Sequence, residues 1–371
     1  MNKIKVFHFH NGSGGGVLSV IKNLLRFSTN SSIENHIIYA INDSVNPDYE
    51  IEPVEGAVSQ QLLYYSANNN FYHTCRQLAK LLPDEKVLVI AHDWLELGMM
   101  SNLGLQNPVI QIVHGNYDYY YQLAAKHTSS VDAYICISRK IFDSLTSILP
   151  QRNAGIFCYN FPVPPVVSTA KGEGPLQIIY YTANLNDHNK QFSTVLNIAE
   201  QLSRKPGKYY FTIAGGGMTT EEFFAQWPTD FKTPVDFTGL LSNENIIRRL
   251  PGQHIFLLPS LAEGLPVSLV EAMKAGVVPL VTDWNGGADE LIKPGSTGYY
   301  FEPGAAVAYA DCIQNLSADR KLLQHLSDNC IQTANAMFDP WINTRKFEER
   351  FIATAEKQAV KKPAVKIYGT G

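Results

Sequence analysis

The sequence predicts an α/β protein built from two doubly wound parallel sheets. Short runs rich in Val, Ile, Phe and Tyr alternate with longer segments of helical spacing. Most of the short runs are apolar throughout, as in strands that are covered on both faces. The alternation is interrupted once by a Pro-rich segment and then restarts, and 371 residues are enough for two such domains.

The first half of the chain supplies five predicted strands, at residues 4–10, 36–41, 87–91, 109–113 and 132–137. Helical segments such as 17–26 and 71–82 lie between them. The segment 162–165, followed by the small and polar residues 168–174, is typical of a linker. We therefore place a first domain at residues 1–165.

The second half repeats the pattern, with strands predicted at 177–182, 209–214, 254–258, 277–281 and 298–301. This places a second domain at 166–338. A helix within 339–360 is expected to return to the first domain, and 361–371 to form a tail. Parallel sheets bind ligands at the carboxyl ends of their strands, so the cleft between the domains is the expected site.

Composition excludes several functional classes. Lys and Arg number 30 against 34 Asp and Glu, a net charge of -4, so no nucleic acid partner is expected. Apolar runs such as 87–91 are too short to cross a bilayer, and residues 1–10 do not resemble a signal peptide. The five cysteines include no CxxC pair and favour neither disulfides nor zinc. We expect a cytoplasmic protein.

The first strand leads into a glycine-rich loop, residues 11–17, before a helix. Glycines and a helix N-terminus favour phosphate, although a tight structural turn uses the same residues. A dinucleotide fingerprint would need glycine where Val17 stands. The loop is therefore only a partial match to that fingerprint. An NAD-dependent oxidoreductase is kept as an alternative, supported by this loop and by Asp43 near the end of the second strand.

Two glutamates follow the apolar strand 254–258. Glu263 and Glu271 are eight residues apart, about two helical turns, so both can face one extended ligand. Pro266 suits a first helical turn, where Gly264 and Leu265 would present free amides. Carboxylates accept hydrogen bonds from sugar hydroxyls. On spacing alone, an acid that favours a helix start together with a solvated surface glutamate is the preferred interpretation.

The segment 259–273 resembles the Glu-x7-Glu region of the retaining GT-B glycosyltransferases of family 4. Similarity continues in the family's order at 213–217, 235–239, 283–291 and 294–303, and more loosely at 14–16, 113–115 and 132–138. The resemblance implies GT-B architecture, with two Rossmann-like domains facing a central cleft. It further implies a nucleotide sugar on the C-terminal domain and a glycan or lipid-linked glycan acceptor on the N-terminal one.

By this resemblance, Glu271 would bind the ribose hydroxyls and Glu263 the donor sugar, while Lys190 would bind the phosphates and offset charge on the departing diphosphate. The remaining donor-binding residues implied are Gly15, Gly16, Asn184, Gly264, Leu265 and Val267.

In the first domain, His114 matches a histidine that lies beside the transferred sugar in related proteins. We name Glu263, His114 and Lys190 as the candidate catalytic residues. Weaker acceptor candidates are Tyr117, Tyr119, His92 and Asp93, because tyrosines stack on sugars and strand ends carry functional groups.

One residue departs from the family pattern. Asn184 stands where the family usually has arginine, and it lacks the charge and the donor fork that bind phosphate. This departure motivates a second hypothesis, a non-catalytic GT-B subunit that supports a partner enzyme.

No metal and no cofactor beyond the nucleotide sugar are expected, because the sequence has no Asp-x-Asp and no metal-ligand spacing. The resemblance implies retention of configuration by front-face displacement. The leading hypothesis is a retaining glycosyltransferase of surface polysaccharide, lipopolysaccharide or glycolipid assembly. A lipid-linked acceptor would bring it into peripheral contact with a membrane, for which the chain offers only short basic pieces such as Arg248-Arg249.

Overall fold

In the computed structural model, which describes residues 3–12, 15–66, 68–92, 94–169, 171–227, 234–284 and 287–357, the chain divides into two units. Unit 1 contains the residues up to Pro162 together with those from Pro340 onward, and unit 2 runs from Val163 to Asp339. The expected boundaries, after residues 165 and 338, lie three residues and one residue from these.

Unit 1 is built on a parallel sheet with helices between its strands. Its strands are β1 (Ile4–His10), β2 (Ile33–Asn42), β3 (Ala57–Tyr65), β4 (Leu88–Ala91), β5 (Val109–Val113), β6 (Ala133–Cys136) and β7 (Ile156–Cys158). Its helices are α1 (Gly16–Arg26), α2 (Phe71–Ala79), α3 (Trp94–Asn102), α4 (Asp118–Lys126), α5 (Arg139–Ile148) and, from the end of the chain, α13 (Pro340–Glu356). The strand order is β3-β2-β1-β4-β5-β6-β7.

Helix α13 is fixed to unit 1 by a buried carboxylate. Glu348 accepts a hydrogen bond of 2.6 Å from the Ser28 hydroxyl and one of 3.3 Å from the Asn30 backbone N–H. On the same helix, the Phe351 ring packs edge-on against His8 of β1, with 6.0 Å between ring centroids. The C-terminal helix therefore packs on the first sheet.

Over its described residues, unit 2 repeats this architecture with six parallel strands. They are β8 (Leu176–Asn184), β9 (Tyr209–Gly216), β10 (Val235–Phe237), β11 (Ile255–Leu258), β12 (Val278–Thr282) and β13 (Tyr299–Phe301). The helices are α6 (Phe192–Ser203), α7 (Thr220–Gln226), α8 (Asn243–Arg249), α9 (Val267–Lys274), α10 (Ala288–Leu291), α11 (Ala306–Ala318) and α12 (Arg320–Met337). The strand order is β10-β9-β8-β11-β12-β13.

Both sheets have a topological switch point, where the strand order reverses direction. In unit 1 it lies between β1 and β4, and in unit 2 between β8 and β11. Ligands of doubly wound sheets bind at such points, beyond the carboxyl ends of the strands. The loops that follow these four strands are therefore the first places to look for function.

The two doubly wound sheets confirm the predicted fold class, although three strands were missed. β3 is an edge strand whose residues are mostly only half-buried, and its Ser-Gln-Gln centre masks the apolar pattern. β7 and β10 have three residues each, which gives little periodicity, although β13 is equally short and was predicted within 298–301. The predicted tail, 361–371, lies outside the described residues.

Candidate functional site

An ion pair joins the two loops at the switch point of unit 2. Lys190 ends a 3-10 turn after β8, and Glu263 lies in the loop between β11 and α9. The Lys190 Nζ atom is 2.6 Å from Glu263 Oε1, and the Glu263 side chain is only 12% exposed. Two predicted catalytic residues that are 73 positions apart are thus brought into contact.

Asn189 fastens these two loops to each other. Its Nδ2 donates to the Ala262 carbonyl at 2.9 Å, and its Oδ1 accepts from the Ala262 backbone N–H at 2.9 Å. Its own carbonyl accepts from the Leu261 N–H, also at 2.9 Å. The turn then reverses at Gln191, whose φ of +54° is left-handed. Asn189 therefore positions Lys190 against Glu263, although nothing in its sequence context marked it.

Glu271 lies on helix α9, directly after the loop that carries Glu263, and its side chain is buried. The residue is 3% exposed, and its Oε1 accepts a hydrogen bond of 3.1 Å from Asn243 Nδ2. Burial raises the pKa of the Glu271 carboxyl to about 7, and the bond from Asn243 opposes that rise. A carboxylate in this state can accept from neighbouring hydroxyls of a ligand. Asn243 was not foreseen from the sequence.

The start of α9 lies slightly later than predicted. Pro266 is the N-cap and Val267 the first helical residue, so Gly264 and Leu265 belong to the preceding loop rather than to the first turn. The Gly264 carbonyl accepts from the Gly287 N–H at 3.2 Å, which ties this loop to the segment before α10. The first N–H groups of any helix have no intrahelical acceptor. Of the three residues predicted to present such amides, Val267 is the one that lies in the first turn of α9.

Asn184 forms part of a turn at the end of β8. Its Oδ1 accepts from the Asn186 backbone N–H at 2.9 Å, and Asn186 in turn donates to the Gly217 carbonyl. A Cβ atom on Gly217, which has a φ of +91°, would lie 2.0 Å from Asn184 Oδ1. Glycine at 217 thus permits the turn. Asn184, which stands where the family usually has arginine, is exposed, and its side chain hydrogen-bonds to the backbone of its own turn.

In unit 1, three histidines from neighbouring strands form a hydrogen-bonded chain. His92 follows β4 and His114 follows β5, and the His92 Nδ1 atom lies 2.8 Å from His114 Nε2. On the other side, His92 Nε2 lies 3.5 Å from Nδ1 of His8 on β1. Two predicted site residues, His92 and His114, are therefore in direct contact.

These imidazoles are neutral at pH 7. Burial lowers the pKa of His114 to about 3 and that of His8 to about 4, and it lowers the pKa of His92 further below its ordinary value. His10, at the end of β1, has its pKa lowered to about 4 by burial and by the charge of Lys22. Neutral imidazoles can donate and accept hydrogen bonds but carry no charge toward a ligand.

A cavity of about 220 Å³ opens beside the histidine chain, wholly within unit 1. Its polar lining consists of His10, Asn11, Tyr65, His92, Glu96 and Tyr120. Glu96 of α3 is 4% exposed and accepts the His92 backbone N–H at 2.5 Å. No Lys or Arg lines the described part of this cavity. Sequence reasoning missed Glu96, which lies five residues beyond the end of β4.

The other predicted residues of unit 1 that the structure describes are Tyr117, Tyr119, Gly15 and Gly16. Tyr117 and Tyr119 are 36% and 47% exposed, and each has its ring beside Tyr120, which lines the cavity. Gly15 and Gly16 are exposed at the start of α1, where Gly15 has a φ of +129°. Asp93 lies outside the described residues.

Within the described ranges, no group of three or more His, Cys, Asp or Glu side chains could hold a metal ion. In that same part of the chain, no helix combines the length and apolar character that a membrane span requires.

Residues 168–333 match the family model described as glycosyl transferases group 1. A 2-deoxystreptamine N-acetyl-D-glucosaminyltransferase of Niallia circulans is 32% identical over 33% of this chain and 32% of its own length. The amylovoran biosynthesis glycosyltransferase AmsK of Erwinia amylovora is 33% identical over 38% of this chain and 36% of its own. The matches thus span about a third of the length of these curated relatives.

Solved structures resemble nearly the whole chain in fold. Sucrose-phosphate synthase from Thermosynechococcus elongatus has a TM-score of 0.76 at 15% identity, covering 95% of this chain and 99% of that one. Anabaena HepE in complex with UDP and glucose has a TM-score of 0.72 at 14% identity, covering 94% and 100%. Residues 168–333 therefore resemble the glycosyl transferases group 1 family, and the two units of the chain have the GT-B fold.

Proposed function

We propose that this chain is a retaining, metal-independent glycosyltransferase that moves a sugar from a nucleoside diphosphate to an acceptor hydroxyl. The observation that carries the proposal is the Lys190–Glu263 ion pair at the switch point of unit 2, in the segment that continues into the buried Glu271. This arrangement offers a cation for phosphate and carboxylates for hydroxyl groups, which are the functional groups of a nucleotide sugar.

In this reaction the bond between the anomeric carbon and the diphosphate oxygen breaks as the acceptor oxygen attacks from the same face. The acceptor proton passes to the departing phosphate oxygen. The Lys190 ammonium stabilises the charge that builds on the diphosphate, which is an electrostatic contribution that grows toward the transition state. Glu263 accepts hydrogen bonds from the donor sugar, and Glu271 accepts them from the ribose.

The cavity of unit 1 is proposed to receive the acceptor. Its described lining combines Glu96 with neutral imidazoles and tyrosines and has no Lys or Arg, so it suits a neutral or amino sugar better than an anionic one. Relatives named as an amylovoran biosynthesis glycosyltransferase and a 2-deoxystreptamine N-acetyl-D-glucosaminyltransferase support a role in polysaccharide or other glycan assembly. We place the reaction in the cytoplasm, with peripheral membrane contact when the acceptor is lipid-linked.

Thermal shift with UDP, GDP, ADP, CMP and NAD tests the donor class, because a ligand of the native state raises the melting temperature. UDP is the first choice, since the solved HepE complex contains it. The sugar conjugates of the nucleotide that binds are then assayed for hydrolysis and transfer. Binding with turnover that Glu263→Ala abolishes is the expected result. Nucleotide binding without turnover would favour a non-catalytic subunit, and stabilisation by NAD alone would overturn the proposal.

A further inference from the structure

Asn243 is fixed at the beginning of a helix with its side chain on the carboxylate of Glu271. It is the first residue of α8, whose N-cap Ser242 accepts the Asn245 backbone N–H through its hydroxyl at 3.4 Å. From this position Asn243 Nδ2 reaches Glu271 Oε1 at 3.1 Å. The residue itself is exposed, whereas Glu271 is 3% exposed. The amide of an exposed residue, Asn243, therefore donates to the buried carboxylate of Glu271, 28 positions further along the chain.

In the part of the chain that the structure describes, no cation pairs with this carboxylate. Lys274 lies one turn further along α9, but its ammonium donates to the carbonyls of Val163 and Phe338 at 2.6 Å and 2.9 Å. Tyr181 of β8 donates to the Ser268 carbonyl at 3.0 Å and adds no positive charge. Among the described residues, Asn243 provides the one side-chain hydrogen bond to Glu271.

We propose that Asn243 is a positioning residue for the nucleotide: its amide favours the ionised form of Glu271 and holds Oε1, so that Oε2 accepts the vicinal hydroxyls of the ribose. This inference rests on the proposed function, because it assumes that Glu271 binds a ribose. It adds a residue that acts through Glu271 and makes donor affinity depend on pH near neutrality.

The physical reason is the balance between burial and one hydrogen bond. Burial raises the pKa of Glu271 to about 7, and the bond from Asn243 opposes the rise. Without the amide, protonation of Glu271 extends to higher pH. A protonated carboxyl is a poorer acceptor than a carboxylate, so ribose binding weakens at pH 7 and recovers where the carboxyl is again ionised.

The test is calorimetric titration of UDP at pH 7, 8 and 9 into the full chain and into Asn243→Ala. Asn245→Ala is the matched control, because Asn245 is exposed on the same helix and contributes only its backbone N–H to the cap. We expect Asn243→Ala to weaken UDP binding about 5-fold at pH 7 but by less than about 2-fold at pH 9. Equal loss at every pH, or no loss at all, would overturn the inference.

A second readout needs no nucleotide. The ionisation of Glu271 is followed by carbon-13 NMR of the glutamate carboxyls, with Glu271→Gln used to assign the signal. We expect a midpoint that rises by about one pH unit in Asn243→Ala and is unchanged in Asn245→Ala. An unchanged midpoint in Asn243→Ala contradicts the inference. If the native chain binds no UDP, GDP or ADP while the midpoint still shifts, the proposed function fails and only the role of Asn243 in ionisation stands.

Discussion

Lys190 Nζ lies 2.6 Å from Glu263 Oε1, so an ion pair spans the switch point of the second sheet. In the first sheet, the loop after β4 at the corresponding switch point carries His92, which bonds to His114 beyond β5. Each unit therefore gathers polar side chains from the loops after adjacent strands, at the edge where doubly wound sheets bind ligands. One cluster is ionic and suits a diphosphate sugar, while the other is neutral and suits hydroxyl groups.

Lys190→Ala is predicted to lower the turnover of the donor by about 100- to 1,000-fold, because it removes the cation that offsets charge on the departing diphosphate. Binding of the intact nucleotide sugar should weaken less than turnover does. The measurement is kcat and KM for the donor that the nucleotide screen identifies.

The matched control is Lys205→Ala, since Lys205 also forms an ion pair in unit 2, with Asp311 at 2.5 Å, away from the switch point. This variant should retain native kinetics. Equal losses in both variants would show that the effect arises from surface charge rather than from the site.

Glu271→Gln is predicted to stabilise the folded chain at pH 8 and to weaken nucleotide binding at the same pH. In the folded state burial raises the pKa of this carboxyl from 4.5 to about 7. The native state therefore binds the proton more tightly, and stability decreases as pH rises from about 4.5 to 7. A pKa rise of that size lowers the free energy of unfolding by roughly 3 kcal/mol at high pH. Glutamine does not ionise, so the variant does not lose this stability.

Urea unfolding at pH 5 and pH 8 measures this effect. The advantage of Glu271→Gln should be large at pH 8 and should shrink toward pH 5. Glu244→Gln, an exposed change on α8, serves as the control and should show no such dependence. A stability difference that is the same at both pH values would mean that ionisation of Glu271 is not the cause.

The histidine chain is predicted to act without titrating. Because burial lowers the pKa of His114 to about 3 and also lowers that of His92, both rings stay neutral from pH 6 to 9. His114→Asn should lower kcat about 10-fold, because it replaces the imidazole that the family resemblance places beside the transferred sugar. The pH profiles of kcat for the native chain and the variant should have the same shape, and a limb near pH 6.5 that disappears in the variant would contradict this.

Much of the fold could be read from the sequence because buried parallel strands are apolar runs. The predicted segments 4–10 and 109–113 coincide with β1 and β5. The family resemblance named Lys190 and Glu263 as residues of one site, since both lie in recognisable motifs, but their direct contact was not predicted. Asn189 and Asn243 could not be predicted, because each is an ordinary polar residue whose partner lies 73 or 28 positions away. Such contacts depend on strand order and loop conformation rather than on local spacing.

Asn184→Arg is predicted to tighten UDP binding and to lower the melting temperature. Arginine adds a charge and a donor fork that can bind the diphosphate, which should improve affinity about 3- to 10-fold at low salt. The same change removes the side-chain oxygen that accepts the Asn186 N–H, so the turn after β8 loses a stabilising hydrogen bond. Calorimetry with UDP at 50 and 300 mM salt measures the gain in affinity, which should decrease as salt screens the new charge.

The control is Lys208→Arg, which introduces an arginine at an exposed position outside the proposed donor site and leaves the net charge unchanged. If Asn184→Arg leaves UDP affinity unchanged at both salt concentrations, then position 184 does not face the diphosphate in this chain, and its asparagine serves the turn alone.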